Sequence, residues 1–112
     1  MDEIVTVTDD EISAAILALI ERQKLIAEGA GAASVAAAMF NKVPIQGKKT
    51  VCLVSGGNID VTILSRVIKR GLLMSGRTSM LNFEMLEKAC QLKLVSEIIA
   101  DMGCNVISIH HE

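Results

Sequence analysis

The chain has 112 residues, a net charge of −2 and 51% hydrophobic content, with two phenylalanines and no tryptophan or tyrosine. That length suits one domain, or one and a half, with a real core whose volume must come from Ile, Leu, Val, Met and Ala. The lack of a Lys/Arg cluster beside aromatics argues against nucleic acid, no apolar run approaches the roughly 18 residues of a membrane span, and the acidic start MDEIVTVTDDE is unlike a signal peptide.

In chain order, residues 4–7 read as a short strand. Thr8 offers a helix N-cap with Glu11 at the capping-box spacing, and Asp9 and Asp10 suit the positive end of the helix dipole. Ile12, Ile16, Leu19 and Ile20 share one helical face, so this helix should run to about Leu25. The stretch EGAGAAS, residues 28–34, is expected to interrupt it before a second, Ala-rich helix in SVAAAMFNK. VPIQGKK is a loop holding the only proline. Residues 50–54, TVCLV, form a continuous apolar run, the pattern of a strand buried on both faces of a parallel sheet. After Gly56 and Gly57, the spacing of Val61, Leu64, Val67, Ile68 and Leu72 predicts a helix over 60–73. Beyond SGRTS the period changes, and Leu81, Phe83 and Met85 alternate with polar neighbours as in a half-covered strand. Leu92, Val95, Ile98, Ile99 and Met102 make a helical stripe that Gly103 stops. NVISIHH closes the chain as a strand with Ile107 and Ile109 on one face.

The passage LVSGGNID brings backbone amides and a small hydroxyl to the carboxyl end of a predicted strand. Open α/β folds hold ligands at such places, and helix N-termini favour anions there. The plainer reading is that the glycines allow positive φ in a tight connection, and spacing alone favours it. Cys52, Cys90 and Cys104 are odd in number and irregular in spacing, which predicts reduced thiols in the cytoplasm. Cys90, Cys104, His110 and His111 show no metal-ligand pairing, and adjacent strand histidines point to opposite faces, so no metal site is predicted. Met39, Met74, Met80, Met85 and Met102 read as core filler.

The run DEIVTVTDDEISAAILALIERQKLIAEGAGAASVAAAMFNK, followed by KKTVCLVSGGNIDVTILSRVIKRGL, closely resembles the C-terminal part of the catalytic domain of threonine ammonia-lyases. These are pyridoxal-phosphate-dependent threonine/serine dehydratases of the tryptophan-synthase-β-like fold, and the likeness covers nearly all of residues 2–76. The remainder, TSMLNFEMLEKACQLKLVSEIIADMGCNVISIHHE, looks like the first half of the ACT regulatory domain that follows in longer members. The implied fold class is α/β. Residues 1–76 would pack helices on a small parallel sheet of segments 4–7 and 50–54, and residues 77–112 would form a βαβ half of a ferredoxin-like ACT unit.

The resemblance implies roles for five residues. Ser55 would lie beside the pyridine nitrogen of the cofactor, pyridoxal phosphate. A neutral hydroxyl there, in place of an Asp, leaves the ring unprotonated and moderates its electron-sink character, which suits β-elimination. Gly56 and Gly57 would let the backbone approach the ring, Asn58 would brace the turn, and Glu28 would border the same cavity. Read without the resemblance, Glu28 is a solvated acid at a helix terminus. The family's Schiff-base lysine stands in a Ser/Phe-Lys-x-Arg-Gly setting that none of Lys24, Lys42, Lys48, Lys49, Lys69, Lys88 and Lys93 shares. The phosphate-cradling glycines and the acidic cation site are also not among these residues.

The expectation is therefore a piece of a threonine ammonia-lyase, an enzyme that converts L-threonine to 2-oxobutanoate and ammonia, inactive when alone. The alternative is a non-catalytic interaction or regulatory module that assembles through its sheet edges. ACT domains commonly carry Pro-Gly before the first helix. Ala89-Cys90 stands there instead, where a side chain would crowd a ligand and demand ordinary φ, and this weighs against an amino-acid effector. Two-stranded sheets leave unpaired edges, which predicts a homo-oligomer, most simply a two-fold dimer.

Overall fold

Four α-helices form among the described residues, 2–85 and 90–110 of a computed structural model: α1 (Asp9–Ala18), α2 (Gly29–Met39), α3 (Val61–Met74) and α4 (Gln91–Asp101). The chain divides into two units, Met1–Ser79 with α1 to α3 and Met80–Glu112 with α4.

In the first unit α1 starts on the predicted capping box. The Glu11 amide donates to Thr8 Oγ1 at 3.2 Å, and the Thr8 amide donates to Glu11 Oε2 at 2.8 Å. The helix passes into a π-helical turn over Leu19–Gln23 and stops at Lys24, which is left-handed at φ 59°. α2 begins at Gly29, so EGAGAAS opens the second helix. Glycine is a poor helix former, but small side chains let α2 lie close against α1, and Ala32 and Ala36 are fully buried. Tertiary packing overrides local preference here.

The core consists of Ala15, Ile16, Leu19, Ala27, Ala32 and Ala36, flanked by half-buried Val7, Ile12, Ile20, Val35, Val54, Leu64 and Val67. α1 packs against both α2 and α3. The α1–α3 crossing is tight: a Cβ on Gly71 would stand 3.1 Å from Leu17 Cδ2 and 3.3 Å from the Ser13 carbonyl oxygen. Three ion pairs tie the elements together: Arg70 with Asp10, Arg77 with Glu21 at 2.7 Å, and Lys42 with Glu11 at 2.8 Å.

The expected sheets do not form. No strand occurs among the described residues, so the unit is helical and not a layer of helices on a parallel pair, and α4 is not framed by a βαβ arrangement. A strand exists only when its N–H and C=O groups find a neighbouring strand, and segments 4–7 and 50–54 do not pair. Both run with alternate residues against the helices. Val5, Val7, Cys52 and Val54 are half-buried, whereas Ile4 is 74%, Leu53 78% and Val51 96% exposed. Only one face of each segment is covered, not two. Assembly through sheet edges loses its premise with the sheets.

In the second unit Gly103 stops α4 as predicted, at φ +74°. Val95 and Ile99 are half-buried, while Leu92, Leu94 and Ile98 are exposed. Segments 80–85 and 105–109 form no strand. Cys90, expected to need ordinary φ, is left-handed at φ 74° and precedes α4 without a side-chain cap. Ala89 and His111 lie outside the described residues. Met39, Met74, Met80, Met85 and Met102 are all exposed and do not fill a core. No helix of the described residues is long and apolar enough to cross a membrane.

Candidate functional site

The Ser55–Asp60 turn leaves the core at Val54, which packs on the α1–α2 cluster. Ser55 and Gly56 then turn back against the start of α2. The Glu28 amide donates to the Gly56 carbonyl at 3.0 Å. Gly56 is at φ +76°, and a Cβ on it would come 2.5 Å from Glu28 Oε1 and 2.7 Å from Cδ. Glycine is favoured there by the left-handed backbone, and the Glu28 side chain lies across it. Glu28 is the N-cap residue of α2, but its side chain makes no capping hydrogen bond. It reaches over the turn.

The loop before α2 borders the next residue, since a Cβ on Gly57 would stand 3.2 Å from the Ile26 carbonyl oxygen. The turn closes with the Ile59 amide donating to the Gly57 carbonyl at 2.9 Å. Asn58 is exposed, and no side-chain hydrogen bond braces the turn through it among the described residues. Asp60 caps α3 by accepting from the Thr62 amide at 2.7 Å. Hydrogen bonds from the Thr62 hydroxyl and amide hold the Asp60 carboxyl below the usual carboxylate range. The α3 N-terminus is therefore satisfied by the chain's own carboxylate, which disfavours an external anion there.

Of the five sequence-predicted residues, the structure brings Glu28, Ser55, Gly56 and Gly57 together and leaves Asn58 exposed beside them. It also adds Gly31, which sequence reading missed. Gly31 is buried in the first turn of α2, where a Cβ would overlap the Ser55 carbonyl oxygen and stand 2.8 Å from its carbon. The available signal was a glycine kept inside an Ala-rich helical stretch, where alanine would be the better helix former. Among the described residues no cluster of His, Cys, Asp and Glu could hold a metal. An open hollow of about 550 Å³ lies in the loop 41–48, lined by Lys42, Pro44 and Lys48 among others. It includes none of the predicted site residues.

The Ser55–Gly57 turn lies at the end of the stretch that a known family covers. The sequence profile described as "Pyridoxal-phosphate dependent enzyme" matches residues 1–57, and the chain belongs to that family. It is 44% identical over 111 residues to an L-threonine ammonia-lyase of Thermotoga maritima, covering 99% of this chain and 27% of that protein. An L-threonine ammonia-lyase of Geobacter sulfurreducens is 43% identical over 112 residues, 100% of this chain and 28% of its own length. The catabolic L-threonine dehydratase TdcB of Escherichia coli K12 is 46% identical over 69 residues, 60% of this chain and 21% of its own length. This chain thus spans about a quarter of the length of the two ammonia-lyases. No solved structure matches it. Pyridoxal phosphate is the cofactor of the intact family enzyme.

Proposed function

We propose that the chain is part of a threonine ammonia-lyase and supplies the pyridine-nitrogen wall of its cofactor site. The observation that carries the reading is the Ser55–Gly57 turn seated on Glu28 and Gly31, in a chain matched along 99% of its length by an L-threonine ammonia-lyase. The residues present fit one edge of the group. Ser55 is exposed, its hydroxyl has no partner among the described residues, and two glycines beside it present bare backbone.

Pyridoxal phosphate, when bound, supplies the electron sink for loss of the substrate hydroxyl. The chain's own part is to hold and shape. Ser55 Oγ would donate a hydrogen bond to the ring nitrogen and, being neutral, would keep its proton. Gly56 and Gly57 would give the ring bare backbone to approach, and Glu28, whose side chain lies across Gly56, would stand beside them. No lysine here stands in the family's anchoring setting, so these 112 residues alone do not turn over L-threonine. Residues 77–112 belong to an ACT-like regulatory segment of the longer enzymes. Supporting this, both ammonia-lyase matches extend over essentially the whole chain while the TdcB match covers 60%.

The test is a segment exchange. Residues 2–112 replace the aligned stretch of the T. maritima L-threonine ammonia-lyase, and 2-oxobutanoate formation from L-threonine is followed. The hybrid is expected to be active and the separate 112-residue chain, with added pyridoxal phosphate, inactive. A folded hybrid that binds cofactor but has no activity on L-threonine would contradict the reading.

A further inference from the structure

The N-terminal half of α2 runs antiparallel to the segment that leads into the Ser55 turn, and the two meet along a seam. Ser34 Oγ donates to the Leu53 carbonyl at 2.7 Å, Gly31 faces the Ser55 carbonyl, and the Glu28 amide donates to the Gly56 carbonyl at 3.0 Å. Positions 28, 31 and 34 lie on one helical face, so a single stripe of α2 makes all three contacts. Polar bonds pin the ends of the seam, and at its centre is a residue without a side chain.

Conformation does not explain that glycine, because Gly31 sits in a regular helix without the positive φ of Gly56. Its reason is steric. A Cβ would overlap the Ser55 carbonyl oxygen and stand 3.1 Å from the Gly56 oxygen, both backbone atoms that cannot rotate aside. We infer that Gly31 is a positioning residue: its bare Cα lets α2 press on the Ser55 carbonyl and so sets where the Ser55 hydroxyl stands relative to the cofactor's pyridine nitrogen. The inference rests on the proposed site. A hydrogen bond weakens steeply with misalignment, and a displacement of about 1 Å in a catalytic site can cost about 100-fold in rate.

Gly29 is the internal control, because a Cβ on it would meet only Ile12 Cγ2 at 3.7 Å, an ordinary contact. The experiment compares Gly31→Ala with Gly29→Ala in two settings. In the 112-residue chain, amide chemical shifts across residues 53–59 report the turn directly. In the hybrid holoenzyme, the cofactor absorption band, its dissociation constant and turnover report the site. Gly29→Ala is expected to leave all of these in place. Gly31→Ala is expected to shift the Ser55–Gly57 amides more than those of α3, weaken cofactor binding at least about tenfold, move the absorption band and cut turnover by about 10- to 100-fold.

Indistinguishable behaviour of the two variants would overturn the positioning role. Moved turn amides with an unmoved band and normal turnover would refute the cofactor reading itself, and the role of Gly31 toward the cofactor with it. If Gly31→Ala leaves the short chain unfolded, the holoenzyme measurements decide. A displaced band in a folded hybrid supports the inference, and an unchanged band overturns it.

Discussion

Replacing Ile16 with Ala should remove the main side chain that fills the interior of the first unit. Ile16 is 1% exposed, and the cluster around it is dominated by Ala15, Ala27, Ala32 and Ala36. The substitution deletes three carbons, worth about 0.8 kcal/mol each or about 2.4 kcal/mol together in transfer free energy. A cavity term adds to this, because Ala15, Ala32 and Ala36, fixed on helix backbones, cannot lean into the hole. The total should reach about 3–4 kcal/mol, a fall of at least about 12 °C in the thermal midpoint for a unit of this size. Urea denaturation of the 112-residue chain, followed by far-UV circular dichroism, measures it. Leu92→Ala on the exposed face of α4 serves as the comparison, expected within about 0.5 kcal/mol of the parent. A loss below about 1 kcal/mol for Ile16→Ala would refute the packing described here.

Three further outcomes follow from the first unit and the exposed surface. Thr8→Ala breaks the capping box that starts α1 and should cost about 1 kcal/mol by urea titration. Stability should also depend on acid in a defined direction. The Arg70 hydrogen bond holds Asp10 low, the Lys42 and Thr8 bonds hold Glu11 low, and the Thr62 bonds hold Asp60 low. Carboxyls depressed in the folded state contribute stability above the ordinary carboxylate value of about 4 and lose it as pH falls through their lowered values. Glu11→Gln should therefore flatten the acid limb of a stability–pH curve, and an unchanged limb would contradict the Lys42–Glu11 geometry. Sedimentation equilibrium of the separate chain should give a mass above 12.0 kDa, most simply a dimer. Val51, Leu53, Leu94 and Ile107 leave apolar surface open to association, and a clean monomer mass at micromolar concentration would refute it.

The helices were largely legible because their signals are local. Thr8 with Glu11 marked the start of α1, the spacing from Val61 to Leu72 marked α3, and Gly103 marked the end of α4. The strands were misread because an apolar run such as TVCLV records a tendency to burial, whereas a strand needs a paired neighbour, and pairing is not a local property. Cys52 and Val54 face the helices while Val51 and Leu53 face away. The alternation was visible in the residues only as uniform hydrophobicity. The start of α2 was missed because glycines read as a break, and packing against α1 overruled them. Bare spacing around Ser55–Gly57 favoured a simple tight turn, and the family resemblance alone brought Glu28 to it. Gly31 was hidden from both, since its reason is a carbonyl far along the chain that only the folded backbone brings near.

The most direct measurement of the central claim is the absorption spectrum of cofactor bound to the hybrid ammonia-lyase, recorded with Ser55 intact and as Ser55→Ala, alongside turnover of L-threonine. If Ser55 forms the wall beside the pyridine nitrogen, the variant retains bound pyridoxal phosphate, its absorption band moves, and turnover falls by at least about tenfold, the scale expected when a positioned hydrogen bond at a reacting group is lost. An unmoved band with unchanged turnover would contradict the claim and remove the Ser55 turn from the cofactor site.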